Sequence, residues 1–251
     1  TYATELVKAM DLCQFVTESD EQWGVLSNEL LKTDGTAASD PLQFGVLSQF
    51  GSLIDPVENA TLAVLSSGVA RGVDDPDWGR NNGYNTGNSS ATVPSVYTDA
   101  NGGELASAAG CPSGSPDVFD SAMLRLQIRV PTNAQGFQFE FRFFSHEYPS
   151  SICTEYNDFF IALLDSNHED IPTDTNISFD SSGNPVSVNN AFFTSCEPIE
   201  CNESNPCEGT LTCNTETGLC EGPLGACPDG PEDVLAFVQD SSDAGATAWL
   251  T

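Results

Sequence analysis

Two adjacent segments near the middle of the chain most constrain what it can fold into. From Phe137 to Phe143 every second residue is phenylalanine and the residues between are polar, which is the period of a strand with one buried face. From Phe159 to Leu164 every residue is apolar, as expected of a strand covered on both faces. These patterns predict an all-β protein, and we expect an antiparallel β-sandwich of jelly-roll type.

The rest of the chain supplies further elements to this sandwich. Apolar residues at helical spacing predict a short N-terminal helix over Thr4–Leu12. Ser121–Val130 alternates, and its short connection to Phe137–Phe143 favours a hairpin between the two. Residues 71–116 are rich in Gly, Asn, Asp, Ser and Pro, which predicts a long surface loop. Other strands are predicted at Trp23–Lys32, Leu62–Ala70, Val234–Val238 and Ala246–Leu250, with a hairpin at Asn176–Phe193.

The charge balance excludes two classes of partner. The chain has 37 acidic and 7 basic residues, a net charge of −30. Nucleic acid and anionic membrane both require basic side chains, so we expect neither as a partner. No apolar run approaches the ~20 residues that would cross a bilayer, so no membrane insertion is expected. Two readings of the charge stay open: solubility in salty water, or binding of hard divalent cations through carboxylate oxygens.

Nine cysteines indicate an oxidising compartment. Four of them, Cys201, Cys207, Cys213 and Cys220, crowd into a segment with few apolar residues, where disulfides must replace a core. Their spacing lacks a C-x-x-C pair and does not suit zinc. Four cysteines allow three pairings. The cluster resembles small EGF-like modules, which implies Cys201–Cys213 and Cys207–Cys220. We expect a cysteine-rich knob at residues 201–221, inserted between sandwich segments 1–200 and 222–251.

The remaining cysteines are assigned by their position next to predicted strands. Cys153 and Cys196 both flank strands near the central segments, and we expect them to pair. Cys111 with Cys227 is a second, weaker expectation. Cys13 is then left over, and an odd cysteine in a secreted protein suggests a bond between molecules or a partner elsewhere.

A small polar cluster lies between the two central segments. Glu147, Asn157 and Asp158 offer carboxylate and amide oxygens at a predicted strand edge, and Ca²⁺ takes 6–8 such oxygens. The alternative is that Asn157 and Asp158 cap a turn through hydrogen bonds to the backbone. Ca²⁺ is therefore the one cofactor that we expect, at Glu147, Asn157 and Asp158.

Signals of catalysis are weak. The chain has only His146 and His168 as candidate histidine bases, and neither sits near a G-x-S-x-G nucleophile motif. We expect no enzyme activity. Aromatic side chains in the long loop, Trp78 and Tyr84 above all, suggest stacking on sugar rings; Tyr97 belongs to the same loop. Glycan binding is thus the main alternative to a structural role.

Several segments together resemble a known family. They are Leu6–Cys13, Leu65–Ala70, the unit from Ser145 to Phe160, Asn176–Asp180, Gly183–Asn190 and Gly245–Leu250. They are similar to the choice-of-anchor L domain family of secreted bacterial surface proteins, in the form common among myxobacteria. The resemblance implies an extracellular location at the bacterial cell surface and carries no biochemical activity. It also implies further strands after Thr251.

These observations lead to an expected function. Ala246–Leu250 is expected to leave an unpaired sheet edge, because no strand follows it, and a neighbouring molecule could complete the sheet by adding a strand. We expect a non-catalytic protein of adhesion or assembly, such as a fibre or surface-layer subunit, whose partners are other copies or other surface proteins. The alternative is a calcium-dependent carbohydrate-binding module.

Overall fold

A computed structural model of the protein describes residues 2–38, 40–50, 54–57, 60–72, 75–77, 90–105, 111, 117–145, 147, 151–154, 157–168, 175–179, 183, 185–189, 194–195, 201–202, 204, 206–207, 212–215, 219–221, 245–247 and 249–251. The chain divides into two compact units. Unit 1 comprises Thr1–Pro94 and Asp117–Gln138, and unit 2 comprises Ser95–Pro116 and Phe139–Thr251. The boundaries predicted for the knob, residues 201 and 221, stay a prediction.

Unit 1 contains one α-helix and three antiparallel strand pairs among its described residues. The pairs are β1 with β6, β2 with β3 and β4 with β5. A 3₁₀ turn at Pro41–Gln43 precedes β2, and Asp40 caps it by accepting a hydrogen bond from the Leu42 N–H. The bounds are α1 Tyr2–Ala9, β1 Gly24–Leu31, β2 Phe44–Leu47, β3 Leu62–Leu65, β4 Ser90–Thr92, β5 Asp117–Phe119 and β6 Met123–Arg129.

The core of unit 1 forms where α1 packs on β1, β2 and β3. Leu6 and Val7 are completely buried on the inner face of the helix, and Phe44 at the start of β2 is completely buried too. The apolar spacing predicted this helix, although it begins at Tyr2 and ends at Ala9. The predicted strands at Trp23–Lys32 and Ser121–Val130 are confirmed as β1 and β6.

Unit 2 contains short strands and one short helix among its described residues. Strands β8 and β11 pair, as do β9 with β10 and β13 with β14, while β15 lies between β12 and β7. The bounds are α2 Ser95–Ala100, β7 Phe144–Ser145, β8 Phe159–Phe160, β9 Leu163–Leu164, β10 Thr175–Asn176, β11 Val186–Ser187, β12 Thr194–Ser195, β13 Thr212–Asn214, β14 Leu219–Glu221 and β15 Gly245–Ala246.

The hairpin predicted between Ser121–Val130 and Phe137–Phe143 is wrong. Strand β6 pairs with β1 instead, and Phe137 is 61% exposed. Phe141 bonds Leu250 in both directions, its N–H to the Leu250 carbonyl at 3.0 Å and its carbonyl to the Leu250 N–H at 2.9 Å. Alternation specifies which side chains share a face but says nothing about the partner strand, so the predicted pairing had no basis beyond proximity in sequence.

The continuous strand predicted at Phe159–Leu164 is divided in two. Strand β8 pairs with β11 and β9 pairs with β10. Between them the Ala162 N–H bonds the hydroxyl of Ser178, which is completely buried and itself donates to the Phe160 carbonyl. A buried serine thus takes the place of a ladder partner, and the strand changes neighbours at that point.

The predicted long loop at residues 71–116 also contains regular structure. Strand β4 and helix α2 lie within it, and β4 pairs with β5. Tyr97 on α2 is only 6% exposed. One aromatic side chain proposed for sugar stacking is therefore buried.

The fold class is confirmed at the level of an all-β protein. In the described ranges the sheets are small antiparallel groups, and they do not establish a jelly-roll sandwich. The unpaired edge expected at Ala246–Leu250 is wrong for β15, because β15 has β12 on one side and β7 on the other. Neither of the two described helices has the length and apolar content to span a bilayer.

Candidate functional site

One buried hydroxyl brings the predicted oxygen cluster together. Ser145, at the end of β7 and 2% exposed, accepts a hydrogen bond from the Glu147 N–H at 3.1 Å. Its hydroxyl donates to Asp158 Oδ2 at 2.9 Å. A single side chain therefore holds the two acidic residues beside each other, although they are separated by ten residues in sequence.

The pairing of β8 with β11 brings Val188 and Asn189 within hydrogen-bond distance of Asp158 and Asn157. The Val188 N–H bonds the Asp158 carbonyl at 2.9 Å, and the Asn189 N–H bonds Asn157 Oδ1 at 3.2 Å. Asn189, 2% exposed, accepts a bond from the Cys153 N–H at 2.7 Å through its own Oδ1. Both asparagines therefore cap backbone groups, which is the alternative role expected for Asn157.

Several buried polar atoms in this region have no hydrogen-bond partner among the described residues. They are Glu147 Oε2, Asn157 Nδ2, Ser187 Oγ and Asn189 Nδ2. Ser187 on β11 is 2% exposed. Leaving a buried polar group unpaired costs about 1–3 kcal/mol, and native proteins usually satisfy such groups with water, an ion or a ligand. These four atoms therefore mark the part of unit 2 where water or a bound ion would satisfy groups that the described residues leave unpaired.

The ionisation of Glu147 reflects this setting. Burial, and secondly the negative charge of Asp158, raise the pKa of Glu147 from 4.5 to about 7, while a hydrogen bond from the Asp158 backbone N–H acts in the opposite direction. A carboxylate beside another carboxylate and partly removed from water favours either a proton or a cation.

This raised pKa makes the stability of the metal-free protein depend on pH. The folded pKa lies above the unfolded value, so the folded state gains stability from the bound proton below about pH 4.5 and loses it as the pH rises through about 7. Because Glu147 is only half-buried, solvent screening reduces the effect to roughly 1 kcal/mol. Urea unfolding in chelator at about pH 5 and pH 8 checks this, and Glu147→Gln should remove the difference. An unchanged pH dependence in that variant would contradict it.

The oxygen donors of this cluster are of the chemical type that a hard cation takes. Glu147 and Asp158 supply two carboxylates, and Asn157 Oδ1 retains a free lone pair after accepting from Asn189. Backbone carbonyls or water would complete a Ca²⁺ shell of 6–8 oxygens. Ser145 and Asn189 were missed by sequence reasoning, although both lie in segments that resemble the family. A serine or asparagine signals such a role only once its neighbours in space are known.

The cysteine cluster is not a metal site. In the part of the chain that the structure describes, Cys201, Cys207 and Cys213 form the one group of three ligand atoms close enough to share an ion. Cys201 and Cys213 form a disulfide, as predicted, and Cys207 is disulfide-bonded as well. Metal binding requires free thiolates, so these sulfurs are excluded. The side chain of Cys220 lies outside the described residues, and Cys207–Cys220 stays a prediction.

The pairing predicted for Cys153 and Cys196 is wrong. Cys153 forms a disulfide with Cys111, which also excludes Cys111–Cys227. A disulfide needs two Cα atoms within about 7 Å, and no sequence rule places residue 111 beside residue 153. Cys13 is unpaired and exposed, as expected.

Four of the other predicted residues, Trp78, Tyr84, His146 and Cys196, lie outside the described residues. His168 is described and is exposed. Asp75 accepts a bond from the Gly72 N–H at 2.7 Å and closes a turn.

Comparison with known families now adds to this geometry. The model of the choice-of-anchor L domain matches residues 25–208, from β1 into the cysteine-rich segment. The chain belongs to the choice-of-anchor L domain family. The match includes the Glu147–Asp158 cluster and the β1–β6 pair. Choice-of-anchor domains belong to secreted or cell-surface proteins, in agreement with the disulfides Cys111–Cys153 and Cys201–Cys213. Searches of curated proteins and of solved structures return no match.

Proposed function

We propose that this choice-of-anchor L domain is a non-catalytic surface module of adhesion or assembly, and that Ca²⁺ bound by Glu147 and Asp158 holds the loops of unit 2 in position. The observation that carries the proposal is the buried, unpartnered Glu147 Oε2 beside the Asp158 carboxylate. Surface proteins meet Ca²⁺ outside the cell, where modules bind it with dissociation constants of about 10⁻⁴–10⁻³ M.

The electrostatics support a cation over a proton as the natural occupant. A divalent cation neutralises both carboxylates at once and removes the repulsion that raises the pKa of Glu147. The chain as a whole has a net charge of −30, which concentrates cations near its surface. The cation would link the loop after β7 to the start of β8, which Ser145 already joins by hydrogen bonds.

A non-catalytic role agrees with the surroundings of the cluster. The Ser145 hydroxyl donates to Asp158, and we assign it the role of holding that carboxylate in place. The carbohydrate-binding alternative depends on aromatic platforms, and burial of Tyr97 weakens it.

A calcium titration tests the proposal directly. Ca²⁺ at about 100 times its dissociation constant should stabilise the protein by about 2.7 kcal/mol, which raises Tm by roughly 5–11 °C for a chain of this length. Calorimetric titration of chelator-treated protein should show one saturable site. Both effects should disappear in Glu147→Gln and Asp158→Asn.

The matched control is Glu140→Gln, which neutralises an exposed carboxylate in the same unit. It should retain the site and the shift in Tm. Two outcomes would contradict the proposal: no saturable binding to the wild-type protein at millimolar Ca²⁺, or an equal shift in Tm in all three variants. Either outcome would indicate non-specific cation binding by an acidic surface.

A further inference from the structure

Strand β6 has an open edge. Its inner edge pairs with β1 along the whole strand, from Met123 opposite Leu31 to Arg129 opposite Gly24. On the outer edge, the backbone groups of Met123–Arg129 make no hydrogen bond within the described part of the chain. A seven-residue strand with a free row of N–H and C=O groups is a template for another strand.

The outer edge of β1 is protected in a way that β6 is not. At one end Val25 donates to the Gln14 carbonyl at 2.8 Å and accepts from the Val16 N–H at 3.0 Å. At the other end the Ala38 N–H bonds the Leu30 carbonyl at 3.1 Å. The chain therefore covers both ends of one edge of this sheet, whereas no described residue pairs with the other edge.

The two faces of β6 differ in character. Leu124, Leu126 and Ile128 alternate on one face, and Ile128 is 38% exposed. On the other face Arg125 lies 3.5 Å from Glu29, and Arg129 lies 3.5 Å from Glu18. These two ion pairs leave the strand nearly neutral in a chain with a net charge of −30.

We propose that the outer edge of β6 pairs with β6 of a second copy of this chain, antiparallel and about a two-fold axis at Leu126. This inference rests on the assembly role proposed above and names its partner and surface. The resulting sheet would have four strands, β1 and β6 from each copy. A two-stranded sheet is marginal alone, whereas three or more strands with an apolar face are stable.

The sequence of β6 is self-complementary in this register. Full overlap of Met123–Arg129 with its symmetry mate places Leu124 opposite Ile128, Leu126 opposite Leu126, and Arg125 opposite Gln127. Apolar residues therefore meet apolar residues on one face, and no arginine faces another arginine. Moving the register by two residues would place Arg125 opposite Arg125 or Arg129, which is unfavourable. An interface that uses the same patch on both copies closes as a dimer.

Charge favours a second copy over an acidic partner strand. Both arginines already have carboxylate neighbours, so β6 has little net positive charge with which to attract an acidic strand. Two copies repel each other through their net charge of −30, and β6 adds little to that repulsion because its two arginines are paired with glutamates. The dimer should consequently strengthen with salt, whereas a complex held by the arginines with an acidic strand would weaken.

Analytical ultracentrifugation of the oxidised chain tests this pairing. The Cys13→Ser background removes the exposed, unpaired thiol found among the described residues, so that this thiol cannot link two copies. We expect a monomer–dimer equilibrium that tightens between about 0.1 M and 1 M NaCl, as the Debye length falls from ~10 Å to ~3 Å. Gln127→Glu places a carboxylate opposite each Arg125 and should tighten the dimer by roughly 3-fold to 10-fold. Gln127→Lys should weaken it by a similar factor.

Because Gln127 is exposed, we expect both variants to fold. Circular dichroism of each variant checks this. A chain that stays monomeric at high salt, or variants that shift the equilibrium in the same direction, would overturn the proposal. Measurements in chelator separate this inference from the calcium proposal. A dimer that forms in chelator supports the β6 edge whatever the calcium titration shows, and a calcium-bound monomer refutes the edge alone.

Discussion

Replacing Cys111 and Cys153 together by serine is expected to lower the free energy of unfolding by about 4 kcal/mol. This disulfide joins residues that are 42 apart in sequence, so it removes a large amount of chain entropy from the unfolded state. The disulfide Cys201–Cys213 spans only 12 residues, so it should contribute about 1 kcal/mol less to the free energy of unfolding than Cys111–Cys153 does.

The position of Cys153 should make the loss visible at the candidate site as well. Its N–H donates to Asn189 Oδ1, and the Asn189 N–H in turn bonds Asn157. Freeing this turn should weaken the stabilisation by Ca²⁺ in addition to the general loss. Urea unfolding with and without Ca²⁺ measures both the general loss of stability and the loss of stabilisation by Ca²⁺ in the same protein.

The control for this variant is Cys13→Ser, since Cys13 is exposed and unpaired. It should change the free energy of unfolding by less than about 0.5 kcal/mol. A double variant as stable as the control would mean that the bond between Cys111 and Cys153 contributes nothing to the free energy of unfolding, which would contradict the prediction.

Local periodicity predicted the elements of unit 1 more accurately than their pairing. The alternation in Ser121–Val130 and the spacing in Thr4–Leu12 correspond to β6 and α1. The stronger alternation at Phe137–Phe143 predicted a buried face, yet Phe137 is exposed and the backbone partner near Phe141 is Leu250. That partner is more than a hundred residues away in sequence. The hydrophobic period of a segment specifies which side chains share a face of the strand, whereas the choice of partner strand depends on the closure of long loops.

The candidate site shows the same limit. Residue chemistry identified Glu147, Asn157 and Asp158, and Ser145 does hold the two carboxylates together. Sequence gave no reason to select Ser145, Ser187 or Asn189, which are common residue types in a serine- and asparagine-rich chain. These three residues are distinguished by their burial, because each is only 2% exposed. Burial of an isolated polar residue follows from tertiary packing and is not encoded in its immediate neighbours.

In unit 1, we expect Phe44→Ala to lower the free energy of unfolding by about 4 kcal/mol, near the middle of the range for truncating a buried phenylalanine. Phe44 is completely buried under α1. The backbone around it has little freedom to collapse into the cavity. The Phe44 carbonyl accepts bonds from the Tyr2 hydroxyl and from Arg71, both at 2.8 Å, and a Cβ at Gly45 would collide with the Ala70 carbonyl.

Phe119→Ala is the matched control, because Phe119 is 67% exposed in the same unit and the chemical change is identical. It should cost less than about 0.5 kcal/mol. Urea unfolding followed by circular dichroism compares the two variants, and equal losses in the free energy of unfolding would contradict the packing of α1 on β2.

The same two variants also separate the dimerisation proposal from the calcium proposal. Phe44→Ala should weaken dimerisation through β6, since that strand belongs to unit 1, while the calcium titration reports on Glu147 and Asp158 in unit 2. Loss of the dimer with retention of the calcium site would therefore assign assembly to unit 1 and cation binding to unit 2.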